Sequence, residues 1–174
     1  MDPRWLELAD RQKASGFADF AGTRISATIP IGERLINEAI AASLPSSGRI
    51  RAVQVTPLGD NRLSIRVSVA KPSFLPPITV TVHIERQPAL PASSDLVLRL
   101  EGAGGLLALA GPALALFDSL PPGVLMRGEH IHVDVKTVLE QRGLGRWLPF
   151  VERLQVTTQI GRVVLSVDAR IPPL

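Results

Sequence analysis

The residues best suited to chemistry in this chain are two histidines and an aspartate at alternate positions, His130, His132 and Asp134. Alternate residues of a β-strand project from one face, so a strand here would place both imidazoles and the carboxylate side by side. Such a set could hold zinc if a further ligand, such as His83 or Glu129, converged on it. The alternative, which we favour, is the solvated face of an amphipathic strand, with Asp134 capping the helix that follows. The sequence therefore predicts no metal and no cofactor.

Other catalytic arrangements find little support in the sequence. The chain has no cysteine, so a nucleophile would be serine or threonine, and no Gly-x-Ser-x-Gly elbow is present. The glycine-rich stretch from Gly102 to Leu107 precedes an apolar segment, but it lacks the Lys-Ser/Thr pair of a phosphate-binding loop. It also lacks the third glycine of a dinucleotide-binding fingerprint. We therefore predict that the protein is not an enzyme.

Composition points to an aliphatic protein. Hydrophobic residues make up 45% of the 174 residues, whereas aromatic residues make up only 4%. The net charge is +3, and no run of basic residues or aromatic-and-basic strand suggests binding to nucleic acid. The absence of cysteine fits a reducing compartment, and the charged N-terminal segment lacks the apolar core of a signal peptide. These features predict a cytoplasmic protein, with peripheral membrane contact as a further expectation.

The pattern of apolar residues predicts a single α+β domain over residues 21–174, after a helical preface over residues 1–20. Alternating residues predict eight strands, and Asn/Gly/Pro turns between them indicate an antiparallel sheet with one apolar face. A helix is predicted from Pro30 to Leu44 and a short one from Lys136 to Arg142. The predicted strands centre on residues 25–29, 53–55, 63–69, 78–84, 96–100, 131–135 and the hairpin 154–169.

An uncharged segment from Gly102 to Phe117 separates two groups of strands, and we predict an apolar helix from Gly105 to Leu120. The segment is shorter than the ~20 residues needed to span a bilayer. A helix that is apolar on every side must be buried all round or must contact an apolar partner.

The chain also contains an internal similarity. The segment 51–56 resembles 152–157, and 62–67 resembles 162–167. Each pair of predicted strands follows a strand that leads into a helix, so the order strand–helix–strand–strand would occur twice. The alternative is a chance similarity of two amphipathic hairpins, because alternating Val, Thr and Arg suit any such hairpin.

Three segments carry a resemblance to a known superfamily. They are the strand-to-helix junction from Ile29 to Ile40, the motif Leu120-Pro-Pro-Gly-Val124, and the last hairpin from Gln159 to Leu165. Over residues 21–171 the order of elements resembles bacterial members of the tubular lipid-binding (TULIP, or BPI-like) superfamily. The resemblance implies a strongly curved antiparallel sheet wrapped around one or two apolar helices, with an apolar groove for lipid and no catalytic residues. Many bacterial members are exported or lipid-anchored, whereas this sequence shows no signal peptide or lipobox.

These observations together predict non-catalytic binding of a lipid or other long apolar molecule, as a carrier, a sensor or a membrane-associated accessory. The residues expected to line the space between the sheet and the helices are Leu35, Ile36, Ala39, Leu106, Leu109, Leu116 and Phe117. Each of these would serve equally well as ordinary core. The alternative function is a structural or protein-interaction module, forming a homo-oligomer without a small-molecule ligand.

Overall fold

The structure is a computed structural model that describes residues 7, 11, 14, 15, 18–44, 50–69, 76–102, 120 and 122–172. In this part of the chain, nine strands and two short helices alternate with short turns. The elements are β1 Arg24–Gly32, α1 Glu33–Ser43, β2 Ile50–Pro57, β3 Arg62–Val69, β4 Ile78–Arg86, β5 Asp95–Glu101, β6 Val124–Arg127, β7 His130–Asp134, α2 Val135–Gln141, β8 Val151–Gln159 and β9 Arg162–Arg170, with 3-10 turns at Ala18–Phe20 and Gly145–Phe150.

The strands form two antiparallel sheets. Six strands, in the order β2-β3-β4-β5-β7-β6, form a sheet that curls into a half-barrel, and three strands, in the order β1-β9-β8, form a second sheet. The α+β class and the curled antiparallel sheet were predicted correctly, whereas the division into two sheets and the strand β6 were not predicted. The sequence of β6 begins with three consecutive apolar residues, so no alternation marks it as a strand.

The first strand extends further than the sequence indicated. Pro30 was expected to open the helix, but β1 continues to Gly32 and α1 begins at Glu33. Ile29 pairs with Leu165 and Ile31 pairs with Val163, so the ladder to β9 runs past the proline. A proline is compatible with an edge strand when the position of its missing N–H faces away from the neighbouring strand.

Helix α1 is attached to the edge of the six-stranded sheet at β2. The Asn37 side chain donates to the Val55 carbonyl oxygen at 2.9 Å, and the Val55 N–H donates to Asn37 Oδ1 at 2.7 Å. Val55 pairs with Ile65 on the other side, so the amide of Asn37 occupies the place of a further strand. The helix thereby covers part of an edge that would otherwise expose unpaired backbone groups.

Three sets of hydrogen bonds connect the two sheets. The Gln87 amide pairs with both backbone groups of Val156 in β8. The Thr158 N–H donates to Asn61 Oδ1 at 3.3 Å, and the Gly161 N–H donates to the Pro57 carbonyl at 2.9 Å. The last two contacts bring the β2–β3 turn next to the β8–β9 turn.

The order strand–helix–strand–strand occurs twice, as β1-α1-β2-β3 and as β7-α2-β8-β9, with a 3-10 turn before β8 in the second case. The pairing of the two sets differs, because β1 pairs with β9 whereas β7 lies between β5 and β6. Among the described residues, none of the helices has the length and apolar character needed to cross a membrane.

Candidate functional site

The concave face of the six-stranded sheet carries the main apolar cluster. Its centre consists of buried residues on β4 and β5, and residues from other elements pack around them while remaining partly exposed. The buried residues are Val80, Val82, Ile84, Leu96, Leu98 and Leu100; the partly exposed ones are Leu63, Ile65, Ile78, Met126, Ile131, Val133, Val135 and Val156. This face therefore holds more aliphatic surface than the described residues cover.

The second sheet also has an aliphatic face. Alternate residues of its strands form apolar cross-strand rows, such as Ala27–Val167–Leu154 and Ile29–Leu165–Val156. Val156 belongs at the same time to the cluster of the six-stranded sheet, so the two aliphatic faces meet at β8. None of the nine described strands contains phenylalanine, tyrosine or tryptophan. Both faces are thus lined by branched aliphatic side chains.

The seven residues expected to contact a ligand divide into two groups. On α1, Leu35 is 59% exposed, and Ile36 and Ala39 are partly buried. These three lie on the helix that is attached to the β2 edge of the concave face. The other four, Leu106, Leu109, Leu116 and Phe117, lie outside the described residues, as does most of the predicted helix Gly105–Leu120. The role of all seven in binding remains a prediction.

The convex face of the six-stranded sheet carries a row of basic residues. The register aligns one arginine or histidine from each of five neighbouring strands: Arg62, His83, Arg99, His130 and Arg127. With neighbouring strands about 4.8 Å apart, this basic row spans about 19 Å. Arg62 pairs with Asp60 and His130 with Glu85, whereas Arg99 and Arg127 have no carboxylate partner among the described residues. The sequence did not reveal this row, because its members are far apart in the chain and only the strand order aligns them.

The two histidines of β7 contact carboxylates. His130 Nε2 lies 2.9 Å from Glu85 Oε2, and His132 Nδ1 lies 2.9 Å from Asp95 Oδ2. Asp95 also accepts a hydrogen bond from Arg86 at 2.8 Å. The sequence did not identify these partners, since Glu85 lies at a bulge in β4 and Asp95 lies on β5, and both are far from β7 in the chain. Each imidazole is therefore engaged with its own carboxylate.

The third residue of the motif has a structural role that the sequence predicted correctly. Asp134 is the N-cap of α2 and accepts a hydrogen bond from the Lys136 N–H at 3.1 Å. Its carboxylate also accepts from Ser94 Oγ at 2.6 Å and Thr137 Oγ1 at 2.6 Å. These hydrogen bonds, that from Ser94 above all, lower the pKa of Asp134 below its ordinary value. Among the described residues, no three His, Asp or Glu side chains converge as metal ligands would.

A cavity of about 490 Å³ lies beside this motif, between the segment before β5 and the start of β6. Its lining includes Ser94, Asp95, His132 and Asp134, together with Leu125 and Arg127. The polar groups here already bond to one another, so the cavity suits water or a small polar molecule rather than an acyl chain. A long apolar ligand would instead fit the concave face.

In comparisons with protein-family models, curated protein sequences and solved structures, this chain shows no significant match to any of the three.

Proposed function

We propose that this protein binds a lipid or another long apolar molecule, without catalysis, on the concave aliphatic face of its six-stranded sheet. The observation that carries the proposal is the ring of partly exposed aliphatic residues around the buried cluster of β4 and β5. Aliphatic surface of this extent is ordinarily covered, either by the protein itself or by an apolar partner. Binding of this kind suits a carrier, a sensor or a membrane-associated accessory protein.

The chemistry of the surface favours flexible chains over flat ligands. Burial contributes about 0.8 kcal/mol per methylene, so a sixteen-carbon chain gains on the order of 10 kcal/mol before ordering costs. Planar ligands commonly stack on aromatic side chains, and the described strands provide none. A straight or bent acyl chain needs only aliphatic contacts, which this face offers along several strands.

The topology supports a place for the predicted helix Gly105–Leu120 on the same face. Strands β5 and β6 each run antiparallel to β7, which lies between them, so they are parallel to each other. The end of β5 at Glu101 and the start of β6 at Val124 therefore lie at opposite ends of these strands. Connections between parallel strands of one sheet are almost always right-handed.

The handedness rule selects one face of the sheet. Leu100, whose side chain lies on the concave face, donates its N–H to the Glu129 carbonyl at 2.8 Å, on the β7 side. When the sheet is viewed from the concave face with β5 running upward, the chirality of L-amino acids places the Leu100 N–H on the right. Strands β7 and β6 therefore lie to the right of β5. A right-handed connection passes in front of the sheet, on the concave face. We therefore propose that Leu106, Leu109, Leu116 and Phe117 line the ligand space, and that Leu35, Ile36 and Ala39 lie at its β2 rim.

The basic row supports contact with a membrane surface that supplies or accepts the ligand. Arg99 and Arg127 have no carboxylate partner among the described residues and are exposed. Basic residues near an anionic membrane contribute about 1 kcal/mol each. Aromatic side chains, on which nucleic-acid bases would stack, are absent from the described strands. Anionic phospholipid headgroups are therefore the partner we propose for the convex face.

The proposal is tested by extraction and by titration. Protein purified from its native host should release acyl lipid on organic extraction, and delipidated protein should bind a fluorescent fatty acid. Ile65→Asn, on the concave face, should weaken binding at least tenfold, whereas Arg66→Asn, its neighbour on the opposite face, should not. Ile65→Trp, which adds bulk at the same position without adding polarity, should weaken binding as well. Folded protein that releases no lipid and ignores the fatty acid would overturn the proposal.

A further inference from the structure

Strand β1 has a free edge among the described elements. It stands at the end of the sheet β1-β9-β8, and its nine residues pair only with β9. The Ile171 N–H donates to the Thr23 carbonyl at 3.0 Å, which sets the alternation of the ladder. Backbone groups of Ile25 and Ala27 accordingly face β9, and those of Ser26 and Thr28 face outward. Pro30 also falls at an outward position, where its missing N–H removes no hydrogen bond to β9.

The same strand carries two exposed isoleucines on its apolar face. Ile25 is 55% exposed and Ile29 is 46% exposed, unusually high values for large aliphatic residues in a strand. Their neighbours on β9 are Ala169 and Leu165, so each is covered on one side only. A further strand on the open edge would cover the other side.

We infer that β1 is the interface of a symmetric dimer, in which the β1 strands of two copies pair antiparallel. The two-fold axis passes through Ala27, so that Ala27 faces Ala27 of the partner subunit across a pair without hydrogen bonds. In this register Ser26 forms two hydrogen bonds with the partner's Thr28, and Thr28 two with the partner's Ser26. The Arg24 N–H donates to the partner's Pro30 carbonyl, and the symmetric bond brings the total to about six.

Three features of the β1 sequence are compatible with this register. Each exposed Ile25 lies opposite the partner's Ile29, so that both isoleucines are covered. The proline falls at the ends of the paired segment, where the missing donor removes one bond on each side. The one charged residue, Arg24, faces Pro30 rather than a second arginine, so no like charges are opposed. A contact of this kind is isologous and closes, and it makes a continuous six-stranded sheet across the two subunits.

A register centred on Ser26 would form a similar number of hydrogen bonds. It would place Ile25 opposite Ala27 of the partner subunit and would leave Ile29 without an apolar partner. The isoleucine pairs therefore favour the register through Ala27 over the register through Ser26. Pairing with a strand of an unrelated protein would not require this self-complementarity.

The inference is tested by sedimentation and by cross-linking of the full chain. The wild-type protein should form a dimer at micromolar concentration, and Thr28→Pro should shift it to monomer because the central outward N–H is lost. Thr28→Val keeps the N–H and should remain dimeric. Ile29→Lys provides a second disruptive variant if Thr28→Pro fails to fold, as judged by circular dichroism.

Cross-linking checks the register. The protein has no native cysteine, so Ala27→Cys should form an intermolecular disulfide under mild oxidation, because the paired Cβ atoms would be about 4.5–5.5 Å apart. Ala41→Cys, exposed on α1, should cross-link far more slowly. A monomeric wild type, a dimer unchanged in Thr28→Pro and Ile29→Lys, or equal cross-linking of the two cysteine variants would overturn the inference. None of these results bears on lipid binding by the concave face.

Discussion

The side-chain amide of Gln87, just beyond the end of β4, bonds to the backbone of Val156 in the way that a residue of an adjacent strand would. Gln87 Nε2 donates to the Val156 carbonyl at 2.7 Å, and the Val156 N–H donates to Gln87 Oε1 at 2.8 Å. Asn37 forms the same pair of bonds with Val55 at the edge of the other sheet. A side-chain amide thus bonds to one edge strand in each sheet, β2 and β8, whereas the other edge strands, β1 and β6, each pair on one side only among the described elements.

The first prediction concerns this amide. Gln87→Ala should lower the free energy of unfolding by about 2 kcal/mol, because two hydrogen bonds of about 1 kcal/mol each are lost at a partly buried site. Chemical denaturation monitored by circular dichroism measures the change. Gln155→Ala, an exposed glutamine on the same strand β8, is the matched control and should have little effect. Equal stability of the two variants would show that the amide does not hold the sheets together.

The second prediction concerns the N-cap of α2. Asp134→Ala should lower the free energy of unfolding by about 1 kcal/mol at neutral pH, through loss of the cap. The pKa of Asp134 is lowered in the folded protein, so its stabilisation is present above the ordinary pKa and is lost as pH falls through the folded value.

The difference between wild type and Asp134→Ala should therefore shrink below about pH 4. Denaturant titrations at several pH values measure it, with Glu129→Ala, an exposed carboxylate in the turn before β7, as control. A difference that stays constant down to pH 2 would be inconsistent with the ionised cap.

The third prediction concerns the basic row. Replacing both Arg99 and Arg127 by glutamine should reduce sedimentation of the protein with vesicles that contain phosphatidylserine. The loss should be about tenfold or more at low salt and should diminish as ionic strength rises. Replacing Arg34 and Arg51, on α1 and β2, removes the same charge and should have a smaller effect. Equal losses from both pairs would assign the binding to net charge alone.

The sequence predicted eight of the nine described strands, both described helices and the antiparallel arrangement, because the periodicity of apolar residues is a local signal. The division into two sheets depends on long-range contacts, such as Gln87 with Val156, that leave no local pattern. The basic row has the same origin, since Arg62 and Arg127 are aligned only by strand order. The extension of β1 through Pro30 was missed because a proline after a strand usually indicates a turn or a helix start, and the free edge that tolerates it is a tertiary feature.

The most direct measurement of lipid binding compares two faces of one strand. Ile78 packs at the rim of the aliphatic cluster, whereas Thr79 is exposed on the opposite face of β4. Each is replaced by cysteine in the otherwise cysteine-free chain and labelled with an environment-sensitive fluorophore. Addition of a brominated fatty acid should quench the label at position 78 strongly and the label at position 79 only weakly. Equal quenching at the two positions, or none at position 78 in folded protein, would contradict binding on the concave face.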